Sequence, residues 1–547
     1  MAALRGNPWM ILIALCIGFF MTLLDLTIVN IAIPDMITHL DAALDEILWV
    51  VNAYALVLAV LIITAGRLGD LYGPRRMFII GVALFTTAST LCGLSPGIGF
   101  LIAARVVQGM GAAIMVPQSM ALIIRVFPAQ HRGAALGVWG SVAGLATVAG
   151  PTLGGLLVTA LDWRFIFFVN LPFGVVALVL AVLLIPRETG EPQRRQRLDW
   201  SGVLLATLAL SLLAFGLVEG ERFHWGTVYG VVSIPVILTA GGLLFVALLF
   251  QQRARQGHDP LIPFALFADR NFGLMNITAA LLSMSLLSFS LVFVIYLQSV
   301  LGMSALQAGL TLIPTSLVSM VTAPIAGRQV DRYGGKYILF AGFSAFAIGV
   351  GWLLLTGGPD SSWHNFLAPQ ILMGLGTGCA FGPMSSLAMY NVRSQLAGAA
   401  SGMLNTTRQL GSVLGGAIVG ALLQVGLSNQ MGAQAAQQAR QLPPELRKAF
   451  TDGLDRTGGG VQLGGPATPP VLPPGTGPGA AEQISRLMSS VFRDAYLDTM
   501  HLLAVFPAAA MVAAAVLTLF TRNNTPRGAR GGAPRTTEEA APRAPRK

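Results

Sequence analysis

The chain alternates long apolar runs with short polar interruptions. Almost every run is long enough to cross a bilayer as a helix, which takes about 20 residues at roughly 1.5 Å each. Runs at 9–33, 47–65, 77–95, 99–124, 134–159 and 165–185 predict six spans, and those at 200–218 and 228–250 two more. Runs at 273–297, 306–326, 338–356, 366–390, 397–425 and 500–521 predict a last six. The expected fold class is an all-α polytopic membrane protein with 14 transmembrane helices. The first run is read as a permanent span rather than a cleaved leader, because it leads through Asp25 and Asn30 and not to a small-residue cleavage site.

One interruption is used twice. G-R-L-G-D-L-Y-G-P-R-R at 66–76 returns as G-R-Q-V-D-R-Y-G-G-K-Y at 327–337, each time between two apolar runs. If both mark the turn after the second span of a half, residues 1–198 form an N-terminal six-helix bundle and 199–258 an inserted pair with its connection. Residues 259–521 then form a C-terminal six-helix bundle that includes an outer loop at 428–498, and 522–547 a disordered basic tail. Two pseudo-symmetric bundles around a central cavity is the layout of an alternating-access carrier. The Pro/Gly-rich middle of the loop buries too little to offset chain ordering, while 481–500 fits a short amphipathic helix entering the last span.

Composition agrees with the pattern: 54% of the 547 residues are hydrophobic and 11% charged, with a mean hydropathy of +0.69, too apolar for a water-facing globule. The net charge of +10 reports topology. Arg67, Arg75, Arg76, Arg125 and Arg132 follow even-numbered spans, as do Arg187, Arg194, Arg195, Arg197, Arg253, Arg255, Arg270, Arg328, Arg332 and Lys336. Asp35, Asp41, Asp45 and Glu46 occupy the first outer loop. The positive-inside rule then places both termini in the cytoplasm. Seven cationic residues in the tail favour anionic lipid, and nucleic acid is not an expected partner. Cys16, Cys92 and Cys379 lie in or beside apolar runs with neither metal-ligand nor disulfide spacing, so they read as packing residues. Neither glycine-rich turn has the phosphate-cradling G-x-x-x-x-G-K-[ST] pattern. An ion gradient or the solute's own gradient is the expected driving force, with no cofactor, no metal and no catalytic role. A single chain is the expected working unit; accessory export partners are left open.

Charges at depth mark the candidate chemistry. Asp25, in L-L-D-L-T-I-V-N-I-A-I-P, sits well inside the first span and calls for either proton or cation coupling or a structural ion pair. Arg105, in R-V-V-Q-G-M-G, is equally deep in the fourth. It serves coupling or gating, with Asp25 among its candidate partners and Gln108 on roughly the same face, or it is a fixed structural contact. In 66–76, Gly66 and Gly69 permit close helix approach and Asp70 suits a helix N-terminus or an arginine. Gly73 with Pro74 turns the chain, and Arg67, Arg75 and Arg76 anchor it, so a state-dependent gate is expected, repeated at Arg328 and Asp331. The fifth span places small residues four apart at Gly140/Gly144 and Gly150/Gly154, next to Gly155, with Pro151 as a bend. Trp163, Arg164 and Asn170 read as interfacial anchoring. Asn30, Asn52, Gln118, Gln298, Met384 and Asn405 are candidate cavity residues. Glu219, Glu221 and His224 form either an exposed loop cluster or a second proton or substrate group. Arg408 is an interfacial anchor if shallow, and a partner for an acidic group if deep.

Together these segments resemble the major facilitator superfamily, specifically the fourteen-span drug:proton antiporters of the EmrB/QacA type, over about 9–425 and the final span. Its cytoplasmic loop signature maps onto Gly66, Arg67, Gly69, Asp70, Gly73, Arg75 and Arg76, and its antiporter signature onto Gly150, Pro151, Gly154 and Gly155, with Ala146 where a glycine is expected. The first-span acid maps to Asp25 and the fourth-span arginine to Arg105. The resemblance implies proton-driven export of hydrophobic or amphipathic drugs, antibiotics or metabolites from a bacterium across its inner or plasma membrane. A narrow-specificity uniporter or symporter, and a nontransporting sensor or scaffold, are the alternatives.

Overall fold

A backbone amide facing hydrocarbon finds no water, so each apolar run closes its hydrogen bonds within itself as a helix. The computed structural model describes residues 6–40, 42, 44–186, 198–220, 223, 225–439, 447 and 478–523. The first eight helices are α1 (Pro8–Ile28), α2 (Ile33–Leu40), α3 (Leu44–Tyr72), α4 (Pro74–Gly93), α5 (Ile98–Val126), α6 (Arg132–Ala160), α7 (Phe165–Phe168) and α8 (Asn170–Leu184). An intervening pair follows, α9 (Trp200–Glu219) and α10 (Ile234–Ala254). The rest are α11 (Arg270–Ile295), α12 (Ala305–Thr311), α13 (Ile313–Tyr333), α14 (Lys336–Thr356), α15 (Trp363–Gly378), α16 (Phe381–Met389), α17 (Ala397–Ala439) and α18 (Pro478–Leu519). Among the described residues, 13 helical stretches are long and apolar enough to cross a membrane. The fifth expected span, α6, is a continuous helix of 29 residues outside that count.

Three boundaries differ from those the hydrophobic pattern predicts. The charged segment 66–76 is mostly helix: α3 runs to Tyr72 and the chain reverses at Gly73, whose φ of 90° suits glycine. Gly334, with φ 84°, does the same after α13. Helix persists there because Gly66 and Asp70 lie one turn apart on a face that is covered by other helices. Residues 228–233, expected inside the eighth span, instead belong to a hairpin of β1 (Thr227–Tyr229) and β2 (Val232–Ser233), and Pro235 stands in the first turn of α10. The expected loop 428–498 is helical at both ends, since α17 continues to Ala439 and α18 starts at Pro478. Its Pro/Gly-rich middle, the arginines at 187–197, Asp41 and residues 524–547 of the tail lie outside the described residues.

Helices α1, α3, α4, α5 and α8 pack on one another, as do α11, α14, α15, α17 and α18; the two groups meet where α6 runs along α13 and α3 along α17. Glycine makes both crossings possible. A Cβ on Gly66 would stand 3.0 Å from the Gly402 Cα and would collide with the Gly398 carbonyl; on Gly327 it would stand 3.1 Å from the Gly137 Cα and would collide with the Gly133 carbonyl. An aspartate then closes each crossing. Asp70 accepts the amides of Gly398 and Ala399, both at 2.8 Å, in the first turn of α17. Asp331 accepts those of Gly133 at 2.8 Å and Ala134 at 2.9 Å in the first turn of α6. A carboxylate on the unpaired amides of a helix N-terminus is satisfied both by hydrogen bonds and by the helix dipole. Two matching clasps therefore hold this end of the molecule shut.

The pair α9–α10 is fastened at the same end. Asp199 caps α9 by accepting the Gly202 amide at 2.9 Å, and it also accepts from Ser201 Oγ at 2.9 Å and Gln252 Nε2 at 2.7 Å and pairs with Arg255 at 3.1 Å. Gln252 and Gln256 take the amides of Ile262 and Phe264, tying the pair to the following connection. In that connection, Asp259 meets Arg67 at 3.7 Å. Burial pushes the Asp199 carboxyl up, but hydrogen bonds from Gly202, Gln251, Gln252 and Ser201 outweigh it and hold it below the usual carboxylate range.

Two outcomes are expected. Gly398→Val puts a side chain into the Gly66 carbonyl, so Ser401→Cys, buried in this state, reacts faster with a membrane-impermeant maleimide in that background. Because the folded Asp199 carboxyl titrates below its unfolded value of about 3.9, its contribution is complete above that pH and is lost as pH falls through the folded value. Hydrogen-exchange protection of the first turn of α9 is thus flat from about pH 5 to 8 and drops under more acid conditions. Asp199→Asn lowers the protection throughout and removes the pH step.

Candidate functional site

Asp25 on α1 is fully buried, and so are the groups around it. Arg105 Nη1 donates to Asp25 Oδ2 and, at 2.8 Å, to Gln108 Oε1, while Arg105 Nε donates to the Val50 carbonyl at 2.8 Å. Gln108 Nε2 donates to Asp25 Oδ1 at 2.8 Å. Asn170 Nδ2 reaches the same oxygen at 3.4 Å and Ser89 Oγ at 3.1 Å. The guanidinium lies 4.3 Å from the centroid of the Tyr54 ring, whose hydroxyl donates to the Thr22 carbonyl at 3.1 Å. Helices α1, α3, α4, α5 and α8 are thereby joined through one charge-balanced network. Full burial makes each ion dependent on the other.

Two cavities adjoin this network. The larger, of about 600 Å³, lies between α1, α3, α9, α11 and α17, with Asn30, Trp49, Asn52, Glu219, Ser290 and Gln409 in its wall. The smaller, of about 160 Å³, is lined by Phe19, Trp139, Phe381, Asn405 and Arg408, and shares Leu26 and Gln409 with the larger. Asp25 lines neither, although the next two residues, Leu26 and Thr27, do line the larger one. The carboxylate faces into its own group of helices, so a molecule in the cavity touches the helix that carries Asp25 rather than Asp25 itself.

The profile of the Major Facilitator Superfamily matches residues 15–416, which span both clasps and all the network residues. The chain belongs to that superfamily. An MFS-type transporter of Mycobacterium tuberculosis is 40% identical over 460 residues, 82% of this chain and 78% of that one. The tetracenomycin C resistance and export protein of Streptomyces glaucescens is 31% identical over 528 residues, 96% of this chain and 94% of that one. The human organic anion transporter MFSD10 (TETRAN) has a TM-score of 0.54 over 76% of this chain and 93% of that chain at 15% identity, a likeness of fold alone. This superfamily member is thus a bacterial multi-pass membrane transporter, homologous to drug-resistance exporters, and not an enzyme.

The structure brings some of the expected residues together and separates others. Asn30 and Asn52 line the larger cavity and Asn405 the smaller. Gln118, Gln298 and Met384 line neither. Gln118 is buried against Gly69 and donates to the Ala65 carbonyl at 2.7 Å, Met384 is fully enclosed, and Gln298 lies in the last turn after α11. On α6, Gly150 and Gly154 lie against Thr27 and Ile28 of α1, whereas Gly155 faces open space. Ala146 is buried and its carbonyl accepts from Thr27 at 3.4 Å, so alanine fits where the signature has glycine. Gly140 and Gly144 meet Phe381 and Ser316 on the opposite side, and Pro151 lies within the helix between Gly150 and Gly154. Arg75 donates to the Ile185 and Val182 carbonyls at 2.8 and 3.0 Å, fixing the end of α8, while Arg76 and Arg328 are exposed. Arg328 therefore does not repeat the buried contact that Arg67 makes.

Glu219 is not in an exposed loop: it is 4% exposed, accepts from Asn52 Nδ2 at 3.3 Å and forms part of the cavity wall. Glu221 and His224 lie outside the described residues. Asn170 and Trp163 are buried rather than interfacial. Sequence reasoning missed the network role of Asn170, although a lone amide inside F-F-V-N-L-P is the same kind of signal as Asp25. It also missed Ser89 and Tyr54, whose residue types are too ordinary in apolar helices to stand out.

Removing one member of a buried ion pair strands the other, at a cost of about 3–5 kcal/mol. Asp25→Asn is expected to lower the unfolding free energy of the detergent-solubilised protein by about 3–5 kcal/mol, and adding Arg105→Gln to restore part of it, in a double-mutant cycle followed by thermal unfolding.

Proposed function

We propose that this transporter is a fourteen-span drug:proton antiporter of the EmrB/QacA type, exporting hydrophobic or amphipathic compounds from a bacterial cell in exchange for protons. The observation that carries the proposal is the balanced Asp25–Arg105–Gln108 network, set directly behind the wall of a drug-sized cavity. In this reading α6 is the fifth span. Residues 1–198 and 259–521 are the two six-helix bundles, 199–258 is the inserted pair, and both termini are cytoplasmic. The positive-inside rule puts the clasped end on the cytoplasmic side, and in this reading the clasps close the molecule inward.

A proton reaching Asp25 from outside cancels the charge that holds Arg105 Nη1 and Gln108 Nε2, both on α5. Helix α5 packs on α3 and α17, the two helices joined by the Asp70 clasp. Loss of the ion pair frees α5 to shift, and the shift loosens the clasp. The Asp331 clasp between α13 and α6 releases with it, and the cavity opens to the cytoplasm. Substrate enters against α1 and α9, the proton leaves, and re-formation of the Asp25–Arg105 pair drives the molecule back to the inward-closed state. Coupling thus runs through the network and the helix α1, not through competition of proton and drug for one oxygen.

Proteoliposomes under an imposed pH gradient test this with lipophilic cations, neutral antibiotics and aromatic acids. Substrate-stimulated proton release in the wild type that vanishes in Asp25→Asn is the expected result. Equal export without a gradient and without proton counterflow overturns the proposal.

A further inference from the structure

Arg408 lies about three turns into α17, roughly 16 Å along the helix from its clasped end. It is 8% exposed and lines the smaller cavity. Nη2 donates to Ser385 Oγ at 3.0 Å, the guanidinium carbon lies 5.2 Å from the centroid of the Phe381 ring, and Nε has no hydrogen-bond partner. Among the described residues no carboxylate pairs with it, in contrast to Arg105 with Asp25 and Arg67 with Asp259. A permanent cation at this depth is costly unless something answers it, and a hydroxyl with an aromatic face answers only part. The guanidinium fork matches two oxygens of a carboxylate. Around it stand Asn405, one turn back on α17, Gln409, whose position also reaches the larger cavity, and the stacked rings of Phe19 and Trp139 with centroids 4.0 Å apart.

We infer that Arg408 is the anion-recognition residue of the transport path, taking the carboxylate or phenolate of an amphipathic aromatic substrate whose rings lie against Phe19, Trp139 and Phe381. The inference rests on the transport reading above and names a substrate class for it. A small inorganic anion such as chloride offers the same charge without the rings.

Isothermal titration calorimetry of the full chain in nanodiscs separates these. Anthraquinone carboxylate, pyrene carboxylate and naphthoate are each compared with their methyl esters, in chloride and in isethionate buffer. At least one acid is expected to bind about tenfold or more tightly than its ester, Arg408→Gln to remove that preference, and Arg408→Lys to retain part of it. If no acid outbinds its ester in the wild type, the inference fails whatever the variants do. Chloride that competes with a bound acid supports a shared anion site. Chloride that raises the melting temperature of the wild type but not of Arg408→Gln, with no acid preferred over its ester, assigns the site to a free ion and overturns the substrate class. The titration needs no proton gradient: acid binding without proton flux overturns the antiport reading alone, and proton-coupled export without charge preference overturns this inference alone.

Discussion

A charge inside hydrocarbon must be met by an opposite charge, a dipole or water, and this demand places the helices of the protein. Its answers differ in strength. The Asp25–Arg105 pair is an ion pair at full burial, where loss of one partner costs about 3–5 kcal/mol. The Asp70 and Asp331 clasps set a carboxylate on a helix N-terminus, a contact worth about 0.3–2 kcal/mol from the dipole. A transport cycle breaks some contacts at every turnover and keeps others. Losing Asp25 strands a buried guanidinium, whereas parting a clasp returns a carboxylate and helix amides toward water, so the two differ in what their loss leaves behind.

The clasps also depend on a second constraint, that two backbones approach within van der Waals contact. Asp70 reaches the first amides of α17 because Gly66, Gly398 and Gly402 let α3 and α17 touch, and Asp331 reaches those of α6 because Gly133, Gly137 and Gly327 do the same. Half of this was legible. The repeat of G-R-L-G-D in G-R-Q-V-D identified the aspartates and their glycines, but the surfaces that receive them were not recognised, although G-A-A-L-G at 133–137 and G-A-A-S-G at 398–402 are themselves an internal repeat. The same residues were expected to form a turn, because charge and glycine normally interrupt a helix. Here partners from the other half satisfy the charge, and the helix continues.

Depth was readable from the apolar runs and direction was not. Asp25 and Arg105 stood out because a charge well inside a span is expensive wherever it points. Asn52 and Gln118 look alike as lone amides in apolar helices, yet one faces the cavity and the other fills the space beside Gly69, a difference set by helix rotation alone. Arg408 stayed ambiguous because an arginine in the early part of a span can either snorkel to the interface or turn inward, and helix rotation decides which.

Glu219 shows what α9 and α10 add. The segment after it is polar, which favoured an exposed loop, but α9 packs against both α3 and α17 and carries Glu219 into the cavity wall beside Asn52. Those two helices are the pair joined by the Asp70 clasp. Any opening that separates α3 from α17 must therefore change the seat of α9. At the other end of α9, Asp199 and Gln252 fasten the pair to the connection whose Asp259 meets Arg67, on the same turn of α3 as the clasp. One helix thus touches the cavity at its C-terminal end and the clasp region near its N-terminal end. A helix held at both places ties the cavity wall to the clasp region through one rigid element.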